Sequence, residues 1–527
     1  MDTLRHALVE SKEFAVTCEL IPGRGHKGRS IDAITEFVQG VRSIPQVKAL
    51  SITDNAGGNP ALSADILSFD IHADGTDILV HFACKDMNRN FVESRAYALA
   101  RRGIRNLLVI TGDFPISGFF GVPKPVFDID SVSALHYLRL MNEGLEVEGA
   151  KGRSRLEETD FFLGAVVSPF KWTEGPAMMQ YCKLEKKLAM GADFIVTQLG
   201  YDMRKLRELI TYVRTELGSP VPLMGSVYVL TAGAAALMNR GEIPGCWASD
   251  ELLARLREEA KEKDKGKQKR LERAARMVAI LRGLGYNGTH IEGLALKVED
   301  VDFIVRRSED IGENWRDLAG ELLDAPERPF FYFAGGERAD FHDRPEGRLV
   351  AVSTRRRRIL SPSFWMMRLT HKAIFTPGTL GYRFMVGFSH LLEKRRGLHR
   401  FFRGFEHVVK RALFGCRYCD DCALFEMFYV CPEARCPKGM RIGPCGGGRI
   451  DGGCEVFPER MCIWHHVYWR AKNRRALDTL NYMIPPRNWK LYETSSWMNY
   501  FLKYDHSGTK IEFPARGAAA AGQSQQE

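Results

Sequence analysis

LLVITGD, residues 107–113, is a short apolar run closed by a threonine, a glycine and a carboxylate. A run this short and rich in branched side chains, with a glycine at its exit, reads as a strand buried on both faces, the pattern of a parallel sheet under helices. Asp113 then stands at the C-terminal edge of that strand, where parallel barrels do their chemistry. Working outward, similar runs occur at 14–22 (FAVTCELIP), 47–54 (VKALSITD), 77–84 (DILVHFAC), 161–169 (FFLGAVVSP), 193–201 (DFIVTQLGY), 221–229 (VPLMGSVYV) and 288–296 (GTHIEGLAL). Amphipathic segments fill the gaps, such as 91–102 before Gly103 and 181–190 before Gly191, each glycine suited to a left-handed helix end. Together with 105–113 these make eight βα units over about 300 residues, which predicts an α/β fold of the (β/α)8 TIM-barrel type. The competing open doubly wound sheet lacks a G-x-G-x-x-G turn after the first strand.

The predicted strand ends carry Glu19; Thr53, Asp54 and Asn55; His81; Asp113; Gln198; and Tyr228. A single Gln or His in such a place is more often a satisfied structural group. Taken together they describe one mouth lined with carboxylates and hydrogen-bonding groups. No Ser/His/Asp triad or H-E-x-x-H zinc motif accompanies them.

The 527 residues exceed what one core usually serves, so at least two domains are expected: 1–325 as the barrel, 326–404 as a basic linker or docking segment, 405–505 as a cysteine-rich domain and 506–527 as a disordered tail. A hydrophobic share of 45% and a charged share of 27% are ordinary for a soluble protein. The N-terminus has no signal-like apolar stretch and no run approaches a membrane span, so the expected location is cytoplasmic, without a transmembrane segment. The net charge of +10 is concentrated: residues 355–410 hold thirteen Lys/Arg, among them Arg355–Arg358, against Glu393 and Glu406. With the rest near neutral, a nucleic-acid partner is not expected. The basic stretch reads either as a linker wrapping the barrel or as a docking face for an acidic protein or an anionic membrane. Residues 255–273 mix both signs and read as a solvated helical hairpin.

Eight of the twelve cysteines fall late: Cys416, Cys419, Cys422, Cys431, Cys436, Cys445, Cys454 and Cys462. In an intracellular chain such clustering means metal sooner than disulfides. The C-x2-C-x2-C start supplies three thiolates to one [4Fe-4S] cluster, and eight thiolates suit two; two four-cysteine zinc sites are the alternative.

With these residues in view, the chain resembles a family. CEL followed by IPG, HFAC with His81, ITGD with Asp113, and LEKKLAMGADFIVTQ (184–198) are similar to the methylenetetrahydrofolate reductases over about residues 10–310. The CPKG and GPCGG words of 405–480 resemble the cysteine-rich C-terminal domain that accompanies reductases of this family, itself similar to the iron-sulfur partner subunit of acetogen-type enzymes. The resemblance implies a flavin TIM barrel, with FAD or FMN, that interconverts 5,10-methylenetetrahydrofolate and 5-methyltetrahydrofolate. It casts Glu19 as the acid that protonates N10 and Asp113 as the carboxylate beside the flavin. It puts Gln198 among the folate ligands, with Tyr228 at the same mouth, and Thr53, His81, Gly112, Lys186 and Lys187 where flavin ligands lie. SPFKW (168–172) departs from the turn that the bacterial enzymes use on the flavin's nucleotide side, residues 225–231 and HIEG (290–293) depart from the NADH-using bacterial pattern, and Glu292 is an additional carboxylate in the latter. An acidic one-electron carrier of ferredoxin or flavodoxin type, feeding the clusters, is therefore the expected partner; a homo-oligomer is compatible with the sequence. The reading from a different class is a non-catalytic folate-binding or scaffold protein whose tail is folded by zinc.

Overall fold

In the computed structural model of the chain, residues 3–149, 152–342, 362–508 and 511 are described; Arg355–Arg358 and most of the expected tail lie outside them. The strands are β1 (Ala15–Leu20), β2 (Val47–Ile52), β3 (Ile78–Ala83), β4 (Asn106–Ile110), β5 (Glu146–Gly149), β6 (Gly152–Arg155), β7 (Phe162–Val167), β8 (Phe194–Thr197), β9 (Leu223–Tyr228) and β10 (Gly288–Glu292). Eight of them close a parallel barrel in the order β1-β10-β9-β8-β7-β4-β3-β2, while β5 and β6 form a separate antiparallel hairpin. All eight predicted strands are present. Each stops short of its predicted C-terminal limit: the run 105–113 pairs only to Ile110, and Gly112, at φ 87°, turns the chain away, so that Asp113 belongs to the loop beyond. A Cβ on Gly112 would lie 2.6 Å from Lys85 Cγ, so both the conformation and the space require glycine.

The barrel interior is layered. Ala15, Ala49, Leu79, Leu108, Phe162, Phe194 and Met224 fill its N-terminal end, against Leu4, Ala7 and Leu8 from the first turns of the chain. Phe162 and Phe194 stack at 4.8 Å, and the second ring fits only because β7 has glycine at 164, where a Cβ would lie 2.4 Å from it. Burying side chains of this size contributes about 1.5–3 kcal/mol each, so this end is a plug and the opposite end is left for chemistry. The predicted charged hairpin is seen as helices Asp250–Glu259 and Lys267–Leu284.

Two compact units emerge. The first contains the barrel and, beyond residue 325, a strap: the Lys205 ammonium, buried in the barrel's outer layer, donates to Phe330 O at 2.6 Å, and Arg207 to the carbonyl of Arg338 at 2.8 Å. It also contains Cys445–Pro458. The second unit holds the other six late cysteines and is helical, with Pro362–Thr370, Leu380–Lys394, Arg396–Phe414, Ile463–Asn473 and Ser496–Phe501. No helix among the described residues is long and apolar enough to cross a membrane.

Candidate active site at the barrel mouth

Above the apolar plug the inward positions change character on one side of the barrel. Side chains alternate along a strand, so the residues two and four beyond Ala15, Ala49, Met224 and Gly288 also face inward. They are Thr17 and Glu19, Ser51 and Thr53, Ser226 and Tyr228, and His290 and Glu292, with His81 contributed by β3. Strands β4, β7 and β8 keep Ile110, Val166 and Val196 at the corresponding height. The result is a pocket with one polar and one apolar wall.

Two imidazoles anchor the polar wall. His81 Nε2 is 2.7 Å from Ser51 Oγ, and His290 Nδ1 is 2.7 Å from Thr17 Oγ1. One polar atom from each of Glu19, His81 and His290 lies within 4.8 Å of the other two, and His290 Nε2 is 3.9 Å from Glu292 Oε1. Burial pulls His81 down to about 4 and His290 to about 3, the latter helped by His81, so both rings are neutral at physiological pH. Glu19 and Glu292 stand on neighbouring strands, where Cys18 pairs with Ile291. Burial, and then the charge of Glu292, raises Glu19 well above the carboxylate range; burial pushes Glu292 up to about 7, with Ser226 pulling the other way. Two carboxyls this close and this dry cannot both be ionised cheaply, so the pair keeps a proton near neutrality.

The other predicted residues reach the same rim by different routes. Asp113 Oδ2 accepts from Gly57 N–H at 2.8 Å, within the turn that follows β2. Gln198 follows β8 directly; its N–H donates to Val167 O and its Oε1 accepts from Leu199 N–H, which leaves the side-chain NH2 to donate elsewhere. Tyr228, half-buried at the end of β9, is raised to about 12 by burial and by Glu19 and Glu292. Thr53 bonds the carbonyl of Leu20. Asp54 is instead paired with Arg95 at 2.7 Å and serves the outer layer. Lys186 and Lys187 lie in the helix Glu174–Ala189, buried; desolvation lowers both, Lys187 to about 7, and Lys187 donates to Val166 O near the C-terminal end of β7. Close by in sequence, Ser168 Oγ is buried without a hydrogen-bond partner among the described residues, as is His290 Nε2. Desolvated ammonium groups and orphaned polar atoms fit a ligand that is anionic at one end and rich in hydrogen-bonding edges at the other, as a flavin nucleotide is.

The segment Cys445–Pro458 packs on the loop that follows β7 and on the turn after the helix Ala232–Asn239. Lys171, almost fully buried, donates to Gly446 O and Gly448 O, both at 2.7 Å, and a Cβ on Gly245 would lie 2.9 Å from Gly446 O. Nearby Cys246 is raised by burial and by the field of Glu292, Asp113 and Glu19, which sets this contact beside the mouth. SPFKW thus departs from the family pattern at the residue that clamps this segment. Each hydrogen bond from a charged donor is worth about 1.5–3 kcal/mol, so Lys171→Met should free the segment without disturbing the barrel. Hydrogen exchange should show lost protection at residues 446–453 and none in β1–β3; unchanged protection at 446–453 would refute the clamp.

In the second unit Cys416, Cys419, Cys422 and Cys431 lie close together: burial raises the thiols of Cys419, Cys422 and Cys431, helped by Cys422 on the first, by Cys431 and Cys416 on the second and by Cys416 on the third, and Cys422 and Cys416 also act on the buried Lys410. Tyr418 and Asp420 take left-handed φ of 57° and 54°, curling the backbone, and Tyr418 N–H donates to Cys416 Sγ at 3.4 Å. Turns of this kind present N–H groups to sulfur, and a four-thiolate set fits a [4Fe-4S] cluster or zinc. None of the twelve cysteines is in a disulfide.

His290, Ser51, Thr17 and Lys171 were not anticipated from the sequence. For the first three a signal existed, namely polar residues at two-residue spacing near the ends of strands buried on both faces.

Comparison with known proteins gives two family matches: the family described as Methylenetetrahydrofolate reductase over residues 4–307, and that described as Methylene-tetrahydrofolate reductase C terminal over residues 396–490. No curated protein matches. Among solved structures, an uncharacterised protein from Clostridium thermocellum that binds two copies of 5-methyl-5,6,7,8-tetrahydrofolic acid aligns at 12% identity and TM-score 0.41, over 59% of this chain and 98% of its own. An oxaloacetate acetylhydrolase in complex with 3,3-difluorooxalacetate aligns at 14% and 0.30, over 55% of this chain and 78% of its own. A 2,3-dimethylmalate lyase aligns at 11% and 0.30, over 58% and 86%.

Proposed function

The chain belongs to the methylenetetrahydrofolate reductase family, and from that premise we propose that it interconverts 5,10-methylenetetrahydrofolate and 5-methyltetrahydrofolate on a bound flavin, with its cysteine-rich region passing single electrons. The observation that carries this reading is the buried carboxyl of Glu19, raised above the carboxylate range by burial and by Glu292, at the mouth that also holds Asp113. Opening the five-membered ring of the folate needs a proton at N10 and leaves a cationic iminium. A buried acid of raised pKa can deliver the first near neutral pH, and a carboxylate can stabilise the second. In this reading Glu19 gives the proton, Asp113 faces the cation from a position fixed by the Gly57 amide, and the free NH2 of Gln198 donates to a pterin acceptor with Tyr228 beside it. A flavin, FAD or FMN, would supply the hydride and accept single electrons. Thr53, His81, Gly112, Asp113, Lys186 and Lys187 would hold it. Anaerobically purified protein should be yellow-brown, contain iron, and oxidise its reduced flavin with methylenetetrahydrofolate. A colourless zinc protein inert towards the folate would establish the scaffold reading instead.

Glu292 supplies a pH test. Both carboxyls have raised folded pKa values, so the stability they contribute is present below the ordinary carboxyl range and is lost as pH rises through the folded values, about 7 for Glu292. Glu292→Gln removes one of these losses and the charge that raises Glu19. Melting temperature should fall less steeply across neutral pH. The alkaline limb of the folate half-reaction, which requires Glu19 protonated, should move to lower pH. A rate–pH profile that does not shift would separate Glu292 from Glu19.

A further inference from the structure

The helix Arg396–Phe414 has its polar side inward. Glu406, 0% exposed, accepts from the hydroxyls of Ser495 and Ser496 and from Trp497 N–H at 3.2 Å, and buried Lys410 donates to Ser496 Oγ at 2.7 Å. The outward side carries Leu398, Phe401, Phe405 and Val408, an apolar stripe at helical spacing, with Phe401 75% and Val408 69% exposed. The network beneath fixes the rotation: turning the stripe inward would tear Glu406 and Lys410 from their partners and leave buried serines unsatisfied. In the packed neighbouring helix Leu380–Lys394, Phe384 is likewise 70% exposed. Arg395, Arg396, Arg400 and Arg411 are exposed around the stripe, and residues 362–414 hold ten Lys/Arg against two Glu. Shortly before this region the sequence carries Arg355–Arg358.

We propose that these helices form a peripheral docking surface for an anionic lipid bilayer, with Phe401, Phe405 and Val408 entering the boundary between headgroups and acyl chains and the arginines meeting lipid phosphates. An outward Phe/Leu stripe on a helix with cationic flanks is the pattern of interfacial binding, and the basic excess of residues 362–414 supplies the second signal that stable attachment needs. A second copy of the chain would set these arginines against one another. A protein partner must offer a pocket for each protruding ring, whereas a bilayer accepts them without one while long arginine side chains reach the phosphates alongside. This surface is independent of the folate reading.

Flotation of the full chain with phosphatidylcholine vesicles and with mixed phosphatidylcholine–phosphatidylglycerol vesicles tests it. Binding should be confined to the mixed vesicles and should weaken as salt rises. The double variant Phe401→Asp/Val408→Asp should lose about tenfold or more of that partition, as should Arg396→Glu/Arg400→Glu, with iron content and circular dichroism unchanged in both. Absence of wild-type binding to mixed vesicles would overturn the proposal, as would undiminished binding by the double variant. So would a dimer, seen by light scattering, that the double variant dissolves while vesicles stay unbound. A [2Fe-2S] ferredoxin captured through the stripe by protein that ignores vesicles would overturn it in favour of an acidic protein.

Discussion

Glu19→Gln should cut the folate half-reaction by about three orders of magnitude, the middle of what positioned general acids contribute, while leaving flavin reduction by dithionite intact. The substitution preserves shape and can still hydrogen-bond within the layer of His81 and His290, so cavity formation is not at issue. What it removes is the proton, which burial and the neighbouring Glu292 hold on the carboxyl. The loss should therefore appear in the rate of the chemical step, with folate binding changed little. Stopped-flow oxidation of pre-reduced enzyme by methylenetetrahydrofolate, single turnover, reads it directly. A wild-type rate would remove Glu19 from the acid's role and leave Glu292 as the group to test next.

The fold was legible because barrel strands buried on both faces are written as short apolar runs, with their polar residues gathered mostly at the end opposite the apolar plug. The same property blurred the strand limits: nothing in LLVITGD says that pairing stops at Ile110 and that Asp113 hangs from the loop by a bond to Gly57. Glu19, His81, Asp113, Gln198 and Tyr228 could be gathered at one mouth by topology alone. Asp54 could not be sorted from them, since its partner Arg95 lies on an outer helix. Glu292 was visible as a departure from the family pattern, but its meaning needed the β1–β10 pairing that seats it beside Glu19, the first strand meeting the last. Lys171 was beyond reach for the same reason on a larger scale. Its acceptors are 275 and 277 residues away, in a segment whose cysteines point to metal rather than to the barrel.

That clamp changes how the cysteine region should be tested. Shortening the chain near Asp324 would remove the acceptor of Lys205 at Phe330, leaving it only Glu208, and would remove those of Lys171 at Gly446 and Gly448. Each hydrogen bond lost from a charged donor costs about 1.5–3 kcal/mol, so lost activity would report damage to the barrel. Cys422→Ser avoids this, because Cys422 lies in the second unit with Cys416 and Cys431. If that set holds a [4Fe-4S] cluster, iron should fall by about four atoms per chain. Flavin reduction by a reduced ferredoxin or flavodoxin should collapse, and the dithionite-driven folate half-reaction should continue, since none of its groups has been touched. NADH should be a poor direct reductant of both proteins. Rapid NADH reduction that survives Cys422→Ser would exclude the carrier route and leave the cysteine region a structural one. Slow NADH reduction together with loss of the carrier reaction would make the clusters the path by which electrons reach the barrel.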